Sequence, residues 1–198
     1  MRLLELFSGT KSVSKAVGNL YDEIISVDIM NKNNPTFCVD ILQWDYKQYP
    51  VGYFDAIWAS PPCTEYSKAK TQGVRNIELA NRIVTKTIEI IEYFNPYKWF
   101  IENPQTGLLK DQEFMLGIPF YDVDYCMYGL NYRKRTRIWT LIDTFEPKIC
   151  NKDCGKIING KHLLSCGNGN KKYSEISLSL NDKYRIPEQL VIDLFNST

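Results

Sequence analysis

Residues 54–63 of this 198-residue chain are FDAIWASPPC. The apolar run followed by prolines predicts a short buried strand that ends near Ser60, because proline cannot continue a central strand. A cysteine that follows two prolines at a strand end is poorly placed for packing and well placed to meet a substrate. Cys63 is therefore a candidate nucleophile.

A second predicted strand, at residues 97–101, leads into Glu102-Asn103-Pro104. The carboxyl ends of neighbouring parallel strands meet at one edge of a sheet, so Glu102 and Cys63 should lie close together. A thiol beside a carboxyl group can perform covalent catalysis with a proton donor. The structural alternatives are a small buried thiol for Cys63 and an exposed or capping acid for Glu102.

The order of predicted elements indicates an α/β fold with a mainly parallel central sheet. Strands and helices alternate as far as about residue 105, and an antiparallel strand pair and a last helix follow. The predicted strands are 3–7, 23–28, 36–39, 54–59, 97–101, 121–128 and 137–142, and the predicted helices are 11–20, 76–94 and 186–195.

Composition limits the classes of function. The formal net charge is +1, so a polyanionic partner has to be met by a local basic patch. The longest apolar runs fall short of the roughly 20 residues of a membrane span. We expect the six cysteines of an unexported chain to be thiols or metal ligands in a reducing compartment, which indicates an intracellular protein of the cytoplasm or nucleus.

Three regions are predicted along the chain. Residues 1–142 would form the catalytic core, and residues 143–182 a small polar insert with cysteines and a histidine. Residues 183–198 would form a C-terminal helix that packs back on the core.

Acids at strand ends point to a nucleoside-containing cofactor. Leu6-Phe7-Ser8-Gly9-Thr10 predicts a strand, a tight turn and a helix N-terminus, where backbone can approach a ligand. Asp28 ends the second strand and could accept hydrogen bonds from ribose hydroxyls, and Asp40 could accept from an adenine amino group. The alternative is that both acids cap turns or helices.

Taken in order, these motifs resemble those of the DNA cytosine-5 methyltransferases over roughly residues 1–142. The Glu5–Gly9 segment is similar to that family's first motif, and Asp28 and Asp40-Ile41 match its ribose and adenine contacts. Pro61-Pro62-Cys63 resembles its nucleophile loop, and Glu102-Asn103-Pro104 its Glu-Asn-Val motif. The basic run at residues 133–137, RKRTR, resembles its Arg-x-Arg motif beside the target base.

The resemblance implies a Rossmann-like, S-adenosylmethionine-dependent enzyme that methylates C5 of cytosine in DNA. Cys63 would attack C6, Glu102 would bind N3, and Arg135 and Arg137 would orient the base or lower the pKa of the thiol. The cytosine must be flipped out of the duplex, and the segment from Cys63 to Gly73 would close over it. The implied cofactor-binding residues are Phe7, Ser8, Gly9, Thr10, Asp28, Ile29, Asp40, Ile41 and Pro61.

The chain also departs from the family pattern. Lys11 stands where the family usually has a further glycine, and Glu5 replaces its usual aspartate. The family's final Gly-Asn-Ser motif is absent, and Tyr184-Arg185-Ile186-Pro187 takes its place before the last helix.

The predicted insert contains a group of soft metal ligands: Cys150, Cys154, His162 and Cys166. Such a set could close a tetrahedral zinc site in a segment with little core of its own, and free thiols in a loop are the alternative. The insert is short beside the family's target-recognition domain. Sequence recognition would therefore be reduced, supplied by a partner subunit or concentrated in the insert.

Three other functions stay open at this point. Ser60-Pro61-Pro62 also suits an amino methyltransferase acting on N4 of cytosine or N6 of adenine, although Cys63 then replaces the aromatic residue that stacks on the base. A degenerate regulatory subunit that binds DNA or the cofactor is a second alternative. RNA is a possible substrate, because a small recognition region suits a structured target.

Overall fold

The computed structural model describes residues 1–164 and 178–198. Its centre is a seven-stranded sheet with strand order β3-β2-β1-β4-β5-β7-β6. The strands are β1 (Arg2–Leu6), β2 (Glu23–Asp28), β3 (Phe37–Cys38), β4 (Ala56–Ala59), β5 (Lys98–Pro104), β6 (Phe120–Asp124) and β7 (Arg135–Trp139).

Strands β1 to β5 pair in parallel, and β7 lies antiparallel between β5 and β6. This arrangement confirms the predicted α/β class with a mainly parallel sheet, and also the antiparallel pair near the end of the core. Strands β1, β4 and β5 are direct neighbours. The loops that follow them therefore open at the same edge of the sheet.

Four helices complete the described fold: α1 (Ser12–Val17), α2 (Ile77–Phe94), α3 (Leu180–Tyr184) and α4 (Glu188–Asn196). Side chains alternate between the two faces of each strand, so the sheet has two apolar cores. Leu4, Ile57 and Ile101 pack toward α2 on one face. Leu3, Trp58 and Phe100 pack on the other face with apolar residues of α1 and α4, including Leu190, Leu194 and Phe195.

Several element bounds differ from the sequence predictions, and three of the differences are described here. Helix α1 ends at Val17 and continues as a 3₁₀ turn over Gly18–Leu20, because glycine is a poor helix former. Strand β5 runs on to Pro104, so Glu102 lies inside the strand rather than after it. Strand β6 ends at Asp124, and the predicted strand residues after it form a 3₁₀ turn, Tyr125–Tyr128.

The chain after β7 forms few regular elements in its described part. A two-stranded hairpin consists of β8 (Ile157–Ile158) and β9 (Lys161–His162). The ammonium group of Lys98, at the start of β5, donates to the carbonyls of Phe195 and Ser197 at the end of α4, at 2.8 and 2.5 Å. Among the described residues, every helix is too short or too polar to cross a bilayer.

Candidate active site

The loop that carries Cys63 is attached to both neighbouring strands. The Ser60 amide donates to the carbonyl of Leu6 in β1 at 3.3 Å. On the other side, the Asn103 side-chain amide in β5 donates to the carbonyl of Pro61 at 2.9 Å. Asn103 is fully buried, so this bond is shielded from water. The half-buried Cys63 thiol is thus held at the edge of the sheet between β1 and β5.

The segment after Cys63 folds onto itself through charged groups. The Lys70 ammonium contacts both carboxylate oxygens of Glu65 at 2.7 Å. The Arg75 guanidinium donates to the carbonyls of Glu65, Ser67 and Lys70 at 2.6 to 3.0 Å. These bonds organise the segment that the sequence predicts to close over a flipped base.

Glu102 is buried and meets two donors. The Tyr125 hydroxyl donates to Glu102 Oε1 at 2.8 Å, and the Lys134 ammonium lies 3.1 Å from the same oxygen. Burial, and then the neighbouring carboxylate, raises the pKa of Tyr125 well above its usual value. Tyr125 is therefore a neutral hydroxyl donor to the carboxyl group.

Neither donor was identified from the sequence. Lys134 lies within the basic run that drew attention to Arg135 and Arg137, but a run of five residues does not show which side chains share a face. Tyr125 carried no sequence signal, because it is twenty-three positions from Glu102 in the chain and becomes its neighbour only through sheet pairing.

The two predicted arginines lie on the other face of the sheet from Glu102. Glu102 is paired with Ile138, and Asn103 with Arg137, so alternation turns Glu102 and Arg137 to opposite faces. Arg137 makes a bidentate ion pair with Asp122 at 2.7 and 2.8 Å. Arg135 lies on the same face of the sheet as Arg137 and is exposed. Within the described residues, the cation in contact with Glu102 is Lys134 rather than either arginine.

The predicted cofactor residues meet at the ends of β1 and β2. The Asp28 carboxylate accepts the Gly9 amide at 2.8 Å and the Met30 amide at 2.7 Å, which ties the β1 turn to the end of β2. Phe7 and Gly9 both have positive φ angles, 56° and 45°. Next to them the side chains of Ile29 and Met30 are 68% and 63% exposed.

Glu5 of β1 and Asp40, in the turn after β3, have local structural contacts. Glu5 is buried and accepts the amides of Val13 and Ser14 at the N-terminus of α1, at 3.2 Å each. Burial raises the pKa of Glu5, and its hydrogen bonds oppose that rise. Asp40 accepts the Leu42 amide at 2.9 Å in the turn after β3, beside the buried Ile41.

Three of the four predicted metal ligands lie close together. Cys150, Cys154 and His162 lie in one cluster, and the fourth member is Cys126 of the turn after β6. Cys166 lies outside the described residues. The sequence prediction missed Cys126, because it lies before the predicted insert and reaches the cluster through the fold.

The sequence profile of the C-5 cytosine-specific DNA methylases matches residues 1–118. The chain belongs to this family. Membership confirms the predicted family and enzyme class, an S-adenosylmethionine-dependent DNA (cytosine-5) methyltransferase, and Cys63 and Glu102 fall within the matched residues. A relative named DNA (cytosine-5)-methyltransferase from Frog virus 3 is 33% identical, and the match covers 99% of each chain.

Two crystal structures share the methyltransferase fold. One is described as a DNA modification methyltransferase encoded within a prophage of E. coli, with a TM-score of 0.54 and 17% identity over 76% of this chain. The other is the S. pombe Dnmt2 methyltransferase, with a TM-score of 0.52 and 15% identity over 77% of this chain. The chain spans about half the length of these two proteins, 52% in each case.

Proposed function

We propose that this methyltransferase acts on cytosine through a covalent bond between the Cys63 sulfur and C6 of the base, with Glu102 bound to N3. The observation that carries the proposal is the attachment of the Cys63 loop to β5. Asn103 follows Glu102 directly and holds the carbonyl of Pro61 at 2.9 Å, so the thiol and the carboxyl group are fixed relative to each other.

The residues would act in the following order. Thiolate attack forms the S–C6 bond, breaks the C5=C6 double bond and moves electron density toward N3 and C5. A proton shared with Glu102 stabilises the charge that develops at N3. S-adenosylmethionine would supply an electrophilic methyl group to C5, and the broken sulfur–methyl bond would leave S-adenosylhomocysteine. Loss of the C5 proton to a base then re-forms the double bond and expels the Cys63 thiolate.

The contacts of Glu102 support this role. Tyr125 and Lys134 both meet Oε1, and we assign Oε2 to the cytosine ring. A buried carboxyl group with two donors keeps its orientation, and its position need not change when charge develops on the base. Lys134 is thus a cation beside Glu102, in addition to Arg135 and Arg137, which the sequence analysis assigned to orienting the base or lowering the pKa of the thiol.

We propose that the adenosine part of S-adenosylmethionine lies over the ends of β1, β2 and β3. The turn of Phe7, Ser8, Gly9 and Thr10 exposes backbone there, and Asp28 has the position at the end of β2 from which a carboxylate reaches ribose hydroxyls. The exposed side chain of Ile29 would pack against the adenine. Asp40, Ile41 and Pro61 would form the remaining wall, as the sequence pattern predicts.

A cavity of about 310 Å³ beside Thr10 suits the amino acid end of the same cofactor. Its lining includes Ser12 of α1 and, from the segment before and into α4, Arg185 and Glu188. A guanidinium and a carboxylate in one cavity match the two charges of an α-amino acid. The Ile186 amide donates to Ser12 Oγ at 3.2 Å and holds this segment against α1.

Recognition of the DNA sequence is proposed to be reduced or shared. About forty residues separate the end of β7 at Trp139 from the start of α3 at Leu180. That length is short for a separate recognition domain. A partner subunit could supply base contacts, and a DNA substrate places the proposed reaction inside a cell. Methylation of DNA by the purified chain alone, mapped by bisulfite sequencing, would separate loose specificity from dependence on a partner.

The covalent step is tested with DNA that contains 5-fluorocytosine, in which fluorine replaces the C5 proton and cannot leave as a cation, so the S–C6 bond cannot be broken by elimination. The wild-type chain should form a stable adduct in the presence of S-adenosylmethionine. Cys63→Ala should form none, whereas Cys166→Ala, which alters a cysteine outside the residues that match the family, should form as much as the wild type. An enzyme that transfers labelled methyl groups to DNA without any adduct would favour the amino methyltransferase alternative and refute this proposal.

A further inference from the structure

Four potential metal ligands meet outside the methyl-transfer site. The sulfur atoms of Cys126, Cys150 and Cys154 and a ring nitrogen of His162 all lie within 4.8 Å of one another. His162 Nε2 is 3.6 Å from Cys126 Sγ and 3.3 Å from Cys150 Sγ. Three different segments of the chain supply these atoms, so the fold assembles the cluster.

The two distances from His162 Nε2 are close to those between ligands of one tetrahedral ion. Zinc–sulfur bonds of about 2.3 Å and zinc–nitrogen bonds of about 2.0 Å place tetrahedral ligands roughly 3.5 to 3.8 Å apart. Both distances from Nε2 lie close to that value. Cys126 and Cys150 are buried, and Cys154 and His162 are half-buried, so the centre of the cluster is shielded from bulk water.

We propose that the chain binds one structural zinc ion through Cys126, Cys150, Cys154 and His162. Three thiolates and an imidazole are ligands that zinc prefers, and four protein ligands close the site to substrate. The ligand set differs from that suggested by the sequence in one position, because Cys126 provides the fourth ligand.

Ion pairs and hydrogen bonds fix the residues that surround the cluster. Arg133 makes a bidentate ion pair with Asp124 at 3.0 and 3.1 Å, and the same carboxylate accepts the Cys150 amide at 3.0 Å. The Lys156 ammonium donates to the carbonyl of Leu130 at 2.6 Å. These contacts orient the backbone beside the ligands.

The zinc ion would attach a segment that has little core to the catalytic domain. Ile149, Ile158 and Leu163 are 37% to 50% exposed, and the hairpin β8–β9 has only two residues in each strand. A segment of this kind buries too little apolar surface to fold firmly by itself. Cys126 directly follows Tyr125, the hydroxyl donor to Glu102. The ion would therefore also stabilise the position of this donor.

The proposal is tested first by metal analysis of the purified full-length chain. We expect one zinc per chain in the wild type and in Cys38→Ser, and a loss of most bound zinc in Cys126→Ser and Cys154→Ser. Cys166→Ser should keep its zinc, because four other ligands fill the site. Loss of zinc in Cys166→Ser but not in Cys126→Ser would overturn this ligand assignment.

A second measurement on the wild-type chain keeps the test independent of whether the variants fold. The protein is stripped with a chelator under reducing conditions and titrated with Co²⁺. We expect the intense visible bands of tetrahedral cobalt, a thiolate-to-cobalt charge-transfer band in the ultraviolet, and protection of residues 148–164 from proteolysis. Folded protein that lacks zinc and gives only octahedral cobalt spectra would refute the site. Adduct formation by Cys63 is measured separately, so failure here leaves the proposed reaction standing.

Discussion

At the scale of single residues, the carboxyl group of Glu102 depends on Tyr125 for its orientation. Tyr125→Phe removes the hydroxyl that donates at 2.8 Å and keeps the buried ring. A hydrogen bond to a charged group contributes about 1.5 to 3 kcal/mol, so we expect a fall of roughly tenfold or more in the single-turnover rate of methyl transfer. DNA affinity should stay within about twofold of the wild type.

The matched control for Tyr125→Phe is Tyr128→Phe, a change in the same turn. The Tyr128 hydroxyl accepts the Lys148 amide at 2.9 Å and does not touch Glu102 in the described structure. Its loss should affect stability more than rate. Equal rates for Tyr125→Phe and the wild type would show that this donor does not assist the reaction.

Lys11 is strained by its backbone conformation. Its φ and ψ angles of 54° and 40° are left-handed, a region that favours glycine, which the family usually has at this position. We expect Lys11→Gly to be about 1 kcal/mol more stable than Lys11→Ala in chemical denaturation. Both variants lose the contact between the Lys11 ammonium and the Asn34 carbonyl, so their difference isolates the backbone. Equal stabilities would mean that the turn relaxes when the side chain is shortened.

At the scale of elements, Lys98 connects the central sheet to the C-terminal helix. Its ammonium satisfies two carbonyls at the end of α4, where the helix dipole also favours a positive charge. We expect Lys98→Met to lower the free energy of unfolding by about 1 to 3 kcal/mol. Lys68→Met, at an exposed position in the loop after Cys63, should change it by less than about 0.5 kcal/mol. Urea denaturation monitored by tryptophan fluorescence measures the free energy of unfolding of both variants. A denaturation midpoint of Lys98→Met equal to that of the wild type would show that the contact between Lys98 and α4 does not stabilise the protein.

The strands and the long helix could be predicted from the sequence, because the spacing of apolar residues within a short segment determines which of the two it forms. β2 was predicted with its observed bounds, and α2 differs from its prediction only at Asn76, which caps the helix by accepting the Leu79 amide at 3.0 Å. The position of Cys63 after the end of β4 followed from the same strand pattern, whereas Glu102 lies inside β5, two residues before its end.

The missed residues depend on pairing that no local pattern shows. Lys134 and Arg135 differ by one position, yet the side of the sheet that each faces is fixed only by the register of β7 with β5 and β6. Cys126 and His162 are thirty-six positions apart and meet only because the segment after β7 folds back onto the turn after β6. Spacing rules for metal ligands favour residues close in sequence, so they selected Cys166 instead.

At the scale of the whole molecule, a net charge of +1 means that DNA must be bound by a few local cations. The residues from Arg133 to Arg137 form such a patch, but most of its charge is neutralised within the protein. Arg133 is paired with Asp124, Lys134 with Glu102, and Arg137 with Asp122. Arg135 is exposed at the start of β7 and is therefore the cation in this run that we expect to meet a phosphate.

The salt dependence of DNA binding tests that assignment. Each phosphate contact changes the slope of log binding constant against log salt by about −0.9 for duplex DNA, so Arg135→Gln should make the slope shallower by about that amount. Arg2→Gln is the matched control, because Arg2 is an exposed arginine at the start of β1, the opposite end of the strand from the loop that carries Cys63. Its slope should equal that of the wild type. Fluorescence anisotropy with a labelled duplex, repeated at several salt concentrations, measures the slopes of the wild type and of the two variants. An unchanged slope in Arg135→Gln would move the phosphate contact elsewhere, and the loop after Cys63, with exposed Lys68, would then be the next surface to test.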